Sequence, residues 1–280
     1  MGIPQTPATI AQAVGWAQTQ GLERLDAQLL VLHAMGRADV ERAWLLAHDT
    51  DALPDAAHAT LQAAVRRRAT GEPLAYITGH KAFYGLDLQV DARVLVPRPD
   101  TETLVDWALE LLTPLPAGAV VDLGTGSGAI ALALKHSRPD LDVLAIDTSA
   151  DALAVAQANA QRLHLAVRFA HGSWLDGVQD GFDLIVANPP YIAAQDPHLA
   201  ALTHEPLQAL ASGDYGLDDI RTIVSQAGRH LQAGGWLLLE HGYDQADAVR
   251  TLLTDAMFSN VQSRRDLAGI ERCSAGCLAF

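Results

Sequence analysis

From residue 119 onward the chain alternates short β-branched, apolar runs with stretches of helical period, and few folds accommodate that alternation. "AVVDL" (119–123) reads as a strand, "GAIALALKHS" (128–137) as a helix, "DVLAID" (142–147) as a strand and "SADALAVAQANAQRL" (149–163) as a helix. Strands follow at "AVRFA" (166–170) and "FDLIVAN" (182–188), then a helix near 217–233 and a strand in "GWLLLEHG" (235–242). A helix near 244–255 and strands near 260–265 and 270–280 complete the pattern. Strands separated by helices of about ten to fifteen residues imply βαβ units, so the spacing predicts an α/β fold with a mostly parallel sheet.

Upstream the pattern differs. "TIAQAVGWAQTQGL" (9–22), "LDAQLLVLHAMGR" (25–37) and "LPDAAHATLQAAVRRRATG" (53–71) repeat apolar residues every three or four positions, which predicts a small helical domain over 1–72. Residues 73–97 switch to two-residue alternation broken by Gly79 and Gly85 and read as a β-hairpin connector. The sheet-bearing domain is then 98–280, entered by a helix over "RPDTETLVDWALELL" that Asp100 or Thr101 caps.

Lys and Arg total 19 against 33 Asp and Glu, a formal net charge of −14. Nucleic-acid binders carry basic patches that displace counterions from phosphates, so direct nucleic-acid binding is not expected. The one basic cluster, Arg66-Arg67-Arg68, reads as a solvated helix face. No apolar run approaches the roughly 18 residues of a spanning helix, and "MGIPQTPATI" lacks the basic and apolar regions of a signal peptide. Two cysteines, Cys273 and Cys277, fit a reducing compartment and make too few ligands for structural zinc. The expectation is a cytoplasmic protein without a resident metal.

Two segments carry chemistry. "VVDLGTGSGAIAL" (120–132) is a strand, a glycine turn and a helix, with G-x-G-x-G spacing at Gly124, Gly126 and Gly128. Dinucleotide folds use G-x-G-x-x-G instead. Asp147 ends the next strand, where a carboxylate takes both hydroxyls of a ribose. Asp122, just before the turn, disfavours a pyrophosphate and favours a cationic ligand such as the sulfonium and ammonium of S-adenosylmethionine. A tight turn made only for packing is the alternative.

The second segment is "NPPY", Asn188-Pro189-Pro190-Tyr191. Prolines cannot donate ladder hydrogen bonds, so the strand stops there. In open α/β sheets ligands bind beyond the carboxyl ends of the strands, which turns the tetrapeptide toward the glycine loop. The restrained Asn188 side chain and Pro189 carbonyl make two fixed acceptors that suit a planar –NH2 group. They aim its lone pair at a methyl donor and stabilise positive charge as it develops, with Tyr191 packing on the planar group. A strand-ending Pro-Pro turn with an Asx cap is the alternative reading.

Together these residues resemble a class I, Rossmann-like S-adenosylmethionine-dependent methyltransferase. "GEPLAYITGHKAFYGLDL", "VLVPRPDTETLV", "DLGTGSGAIALAL", "GSWLDG", "FDLIVANPPYIA", "EPLQAL" and "GGWLLLEHGYDQ" occur in the order of the HemK/PrmC family, the peptide chain release factor N5-glutamine methyltransferases. The resemblance runs from about residue 71 to about 272. It implies methylation of the Gln side-chain amide in the Gly-Gly-Gln motif of release factors; separately, a monomer is expected. By position, Asp122, Gly124, Thr125, Gly126, Ser127, Gly128, Asp147 and Asn188 would hold S-adenosylmethionine, with Trp174 beside its adenine. Asn188, Pro189, Pro190 and Tyr191 would hold the glutamine amide.

Arg98 and Glu102 are expected near the cofactor or in salt bridges between domains. Ala82 and "GDYGLD" (213–218) depart from the family pattern and are expected not to touch the chemistry. The rivals are a nucleic-acid amino-methyltransferase, which presents a flipped base's –NH2 in the same way, a non-catalytic nucleotide-binding module, and an NAD-dependent oxidoreductase.

Overall fold

The computed structural model describes residues 7–37, 41–179 and 181–279. The first six residues of the segment read for a signal peptide lie outside them. The chain divides into two compact units, residues 1–79 and 80–280.

The first unit is helical. α1 (Ile10–Thr19), α2 (Arg24–Ala34) and α4 (Asp55–Ala69) occupy the three stretches of helical period, and two short helices, α3 (Arg42–Ala47) and α5 (Leu74–Thr78), add to them. Thr9 caps α1 by accepting a hydrogen bond from the Gln12 N–H. The apolar stripes converge on Ile10, Ala13, Leu30, Val31, Leu61 and Val65, all under 5% exposed. Two of the three arginines on α4 are paired, Arg67 with Glu72 and Arg68 with Asp26, so the cluster is a salt-bridged face.

The start of the expected hairpin is a helix instead. Pro73 enters α5 with φ −55°, Ala75, Tyr76 and Ile77 are buried, and Gly79 ends it at φ +83°. Five residues are too few for the pattern to separate a period of 2 from one of 3.6. The hairpin itself is shorter, β1 (His80–Phe83) paired antiparallel with β2 (Leu86–Gln89).

The second unit is built on a seven-stranded sheet of β3 (Ala119–Leu123), β4 (Asp142–Asp147), β5 (Arg168–His171), β6 (Phe182–Ala187), β7 (Leu231–Glu240), β8 (Phe258–Arg265) and β9 (Glu271–Leu278). Their spatial order is β5-β4-β3-β6-β7-β9-β8, parallel from β5 to β7, with β9 antiparallel to both β7 and β8. Between the strands lie α7 (Ala129–Ser137), α8 (Ala150–Leu163), α9 (Asp218–Ala227) and α10 (Ala246–Asp255), and α6 (Glu102–Leu112) precedes β3 behind a 3₁₀ turn at Pro99–Thr101. Leu184, Ile185, Val186 and Ala187 of β6 are all fully buried. A central parallel strand is covered on both faces, which is why it reads as an unbroken apolar run.

β7 begins four residues earlier than the apolar run suggests. Its register against β6 shifts between Phe182 and Leu184, so "LQAG" joins the strand as an irregular lead-in. The decisive feature of the topology is at β3, which pairs with β4 on one side and β6 on the other. The chain order reverses there, and a crevice opens beyond the carboxyl ends of β3 and β6. The glycine loop leaves β3 and Asn-Pro-Pro-Tyr leaves β6, so both segments meet at that crevice. Among the described residues no helix is long and apolar enough to cross a membrane.

Candidate active site

Two cavities lie at the crevice. The first, about 210 Å³, is walled by Gly124, Gly126, Asp147, Trp174, Asn188 and Pro190, among others. The second, about 320 Å³, is walled by Leu95, Arg98, Asn188, Tyr191, Ile192 and Leu210, with Leu202 and Ala209. Asn188 belongs to both.

In the glycine loop a Cβ on Gly124 would come within 3.3 Å of the Trp174 ring, whereas one on Gly126 would meet nothing within 4 Å. Gly124 therefore lets the indole lie on the backbone, and Gly126 leaves its face open to the cavity. Trp174 holds φ +52°, uncommon for a bulky residue and the kind of strain found at ligand sites. Asp147 accepts from the Gly126 N–H and the Ser149 N–H, both at 2.9 Å. Its carboxylate is thus fixed at the cavity wall with lone pairs to spare for hydroxyl groups. Ser127 O accepts from Asn159 Nδ2 (3.0 Å), and the same fully buried amide bonds the backbone of Gln89 in both directions. Asn159 thereby ties the loop, α8 and the hairpin together. It is a lone polar residue on the buried face of an Ala-rich helix, the only signal in the sequence that could have found it.

Asp122 does not reach the cavity where it was expected to meet a cationic ligand. It is fully buried beneath the loop, and Oδ2 accepts from Thr125 Oγ1 (2.6 Å) and the Ala131 N–H (3.2 Å). The reason is that β3 side chains alternate about a covered sheet, and Asp122 falls on an inner position under its own turn. Thr125 and Ser127 are buried with it, so these three side chains shape the loop from below.

Burial raises the Asp122 carboxyl to about 7, opposed by its bonds to Thr125 and Ala131 and reinforced by the neighbouring charge of Asp147. An acid with a raised native pKa keeps a proton that the unfolded chain releases, so its contribution to stability declines as pH climbs from about 4 to about 7. Asp122→Asn, with no proton to lose, is expected to flatten that decline. Melting temperatures of both proteins at pH 5 and pH 7.5 check it, and equal shifts for the two would contradict the assignment.

At the end of β6 the Asn188 Nδ2 donates to Thr101 Oγ1 (3.2 Å), which turns the amide's acceptor end, Oδ1, away from Thr101. Pro189 is buried and Pro190 half-buried. The Tyr191 hydroxyl donates to Glu240 Oε1 (3.3 Å). Burial, ahead of the nearby Glu240 charge, pushes the phenol well above its usual range. Arg98 pairs with Glu205 at 2.5 Å, and Glu205 also accepts from the Val96 N–H at 3.1 Å. Arg98 is thus a brace within the second unit. Glu102 accepts from the Tyr84 N–H (2.8 Å) and does not wall either cavity.

"GDYGLD" proves closer to the chemistry than its sequence suggests. A Cβ on Gly216, at φ +69°, would lie 2.1 Å from the Tyr191 carbonyl oxygen and 2.7 Å from Gln245 Nε2. That Gln245 amide in turn donates to the carbonyls of Tyr191 (3.0 Å) and Tyr215 (3.2 Å). The loop therefore backs directly onto the tetrapeptide. Gly216→Ala is expected to cost about 2–4 kcal/mol from left-handed backbone strain and overpacking, read as a lower urea midpoint, and to displace Tyr191. An unchanged midpoint would show that the loop yields.

The PrmC N-terminal domain family matches residues 16–79, and the methyltransferase small domain family matches residues 102–214. The chain is 49% identical to a release factor glutamine methyltransferase of Bordetella pertussis over 92% of this chain and 96% of that one. It is 48% identical to another of that name from Xylella fastidiosa, over 94% and 97%. The chain belongs to the release factor glutamine methyltransferase family. A solved methyltransferase structure from Pyrococcus furiosus superposes with a TM-score of 0.54 at 20% identity, covering 78% of this chain and 98% of that one, which supports the class I fold. Methyltransferases of this family use S-adenosylmethionine as donor. The open face of Gly126 and the pre-set acceptor of Asp147 fit a nucleoside-bearing ligand of that kind.

Proposed function

We propose that the second unit transfers a methyl group from S-adenosylmethionine to the side-chain amide nitrogen, N5, of the Gln in the Gly-Gly-Gln motif of peptide chain release factors. What carries the reading is the double membership of Asn188, which walls both the cavity of the glycine loop and the cavity of Tyr191. Leu95 and Ala209 also wall both cavities, and Asn188 is the one polar side chain of the three.

In this reading Gly124, Gly126, Asp147 and Trp174 hold the cofactor, with Asp122, Thr125, Ser127 and Gly128 shaping the loop beneath it. When bound, S-adenosylmethionine supplies an electrophilic methyl. Asn188 Oδ1 and the Pro189 carbonyl accept the two N–H hydrogens of the substrate amide. An amide nitrogen is a poor nucleophile because its lone pair is delocalised. Two acceptors in its plane hold it rotationally and favour the positive charge that grows on nitrogen during attack. No side chain need remove a proton before attack. Tyr191, tethered through its hydroxyl, offers its ring edge or face to the glutamine side chain, and Leu95, Ile192 and Leu210 line its approach.

The helical unit docks the protein substrate, since a pocket for one amide cannot by itself select one Gln among many. The chain acts as a cytoplasmic monomer without a nucleic-acid partner, and the net charge of −14 supports the last of these.

The test is transfer of labelled methyl from S-adenosylmethionine to purified release factor, beside a factor whose motif Gln is Ala, a free Gly-Gly-Gln peptide and duplex DNA. Label on the intact factor alone is the expected result. Label on the Ala control or on DNA would overturn the substrate assignment, and equal turnover of the free peptide would remove the helical unit from substrate selection.

A further inference from the structure

One buried amide grips the tetrapeptide from behind. Gln245 stands just before α10 and is 9% exposed. Its Oε1 accepts from the Gly242 N–H at 2.8 Å. An amide whose oxygen is engaged on one side has only its –NH2 to present on the other. Nε2 accordingly faces three carbonyl oxygens, those of Tyr191 (3.0 Å), Tyr215 (3.2 Å) and Gly216 (3.3 Å). Two glycines let the amide in. A Cβ on Gly216 would lie 2.7 Å from Nε2, and one on Gly242 would lie 3.0 Å from Oε1. Carbonyl oxygens gathered at one buried spot repel one another and leave lone pairs unsatisfied, and a donor with two hydrogens between them relieves both.

The bond to Tyr191 falls on the far end of a stiff segment. Upstream, Ala187 of β6 is in register with Leu239 of β7. Downstream, the Ile192 N–H donates to the Leu210 carbonyl at 2.9 Å. The peptide between Tyr191 and Ile192 is therefore held by both edges, its N–H by Leu210 and its carbonyl by Gln245. Pro189 and Pro190 lie between these anchors, each with φ fixed near about −65° and no N–H to bond. Among the described residues no hydrogen bond falls on the Pro189 carbonyl. Its direction is set by the two ends of the segment, and few free torsions separate it from Tyr191. A tilt of the peptide at Tyr191 is carried back to it.

We propose that Gln245 is a positioning residue for methyl transfer, holding the Pro189 carbonyl in line through the Tyr191 carbonyl while clipping the 213–218 loop to the back of the tetrapeptide. This rests on the reading of Asn188 and Pro189 as the acceptors of the glutamine amide. Gln245 walls neither cavity, so it works through the backbone of the motif.

Gln245→Glu separates the two ends of the side chain. It keeps the shape and the acceptor for Gly242, and it replaces the donor that faces the carbonyls with an oxygen. Steady-state methylation of release factor and calorimetry with S-adenosylmethionine read the result on the full chain. kcat is expected to fall about 10- to 100-fold, with KM for release factor and Kd for the cofactor within about threefold. Calorimetry should still count one cofactor per chain, so a loss of folded protein does not account for the fall. Gln245→Met, similar in length but apolar, should lose kcat on the same scale. A side chain that only fills space would leave the Met variant close to the wild type.

Turnover of Gln245→Glu within about twofold of the wild type overturns the role, and so does a loss carried by KM or cofactor Kd with kcat unchanged. Where Gln245→Glu does not bind one cofactor per chain, Gln245→Met is judged by the same measures. Where that variant fails too, Gln245→Asn, whose amide stops a methylene short of the carbonyls, takes its place. Asn188→Ala in the same assay separates the levels. An inactive Asn188→Ala beside a silent Gln245→Glu sinks only this inference, whereas an active Asn188→Ala sinks the reading beneath it.

Discussion

Asn188→Ala is expected to lose about 10²- to 10³-fold in kcat for methylation of release factor while binding S-adenosylmethionine nearly as tightly as the wild type. The magnitude is that of removing one preorganised hydrogen-bonding group from a site where charge develops, about 3–4 kcal/mol. The substrate amide carries two N–H hydrogens, and with one acceptor gone it is free to rotate out of line. The charge growing on nitrogen also loses half of its fixed partners. Asn188 borders both cavities, so calorimetry has a second use. A fall in cofactor affinity that matches the fall in turnover would make Asn188 a cofactor-holding residue. Unchanged turnover would remove it from the site.

Asp147→Ala is expected to weaken S-adenosylmethionine binding by about 2 kcal/mol, roughly 30-fold, the scale of one or two charge-assisted hydrogen bonds to hydroxyl groups. The carboxylate is already held by the Gly126 and Ser149 N–H groups, so it meets a ligand with little further ordering cost. The same two bonds mean that the variant also leaves two backbone donors to water, which loosens the loop. Saturation kinetics distinguish the two losses. If Asp147 only holds the cofactor, turnover returns toward the wild-type value at saturating S-adenosylmethionine. A kcat that stays low would show that the loop geometry itself has been lost, and an unchanged Kd would take Asp147 out of the site.

Much of this site was legible in the chain because its parts are local. The loop at Gly124–Gly128 and the stop at Asn188-Pro189-Pro190 are each a strand followed at once by residues that cannot continue it. Strand ends on a parallel sheet converge on one edge. From the residues alone Trp174 was legible only as an aromatic, and the family resemblance set it beside the adenine; its place over Gly124 depends on a backbone approach that nothing nearby in sequence announces. Residues 73–79 misled because five residues of helix between a proline and a glycine carry no distinguishable period. "GDYGLD" misled for a different reason. The carbonyl against which Gly216 packs belongs to Tyr191, which the fold, not the chain, brings beside it.

Asp122 shows the limit of reasoning from charge. An acid next to a glycine loop invites a cationic ligand, yet its direction is set by strand alternation, and alternation turns it under the loop. What the sequence by itself determined is therefore the order of strands and helices and the two points where core strands halt at the crevice. These follow from short-range rules of backbone geometry. Only the tertiary structure decided which side chains stand behind those residues. Thr101, Glu240 and Gln245 lie far from the tetrapeptide along the chain and reach it by sheet order and helix packing. The partner of a buried polar group is chosen by which strands become neighbours, and no local pattern encodes that choice.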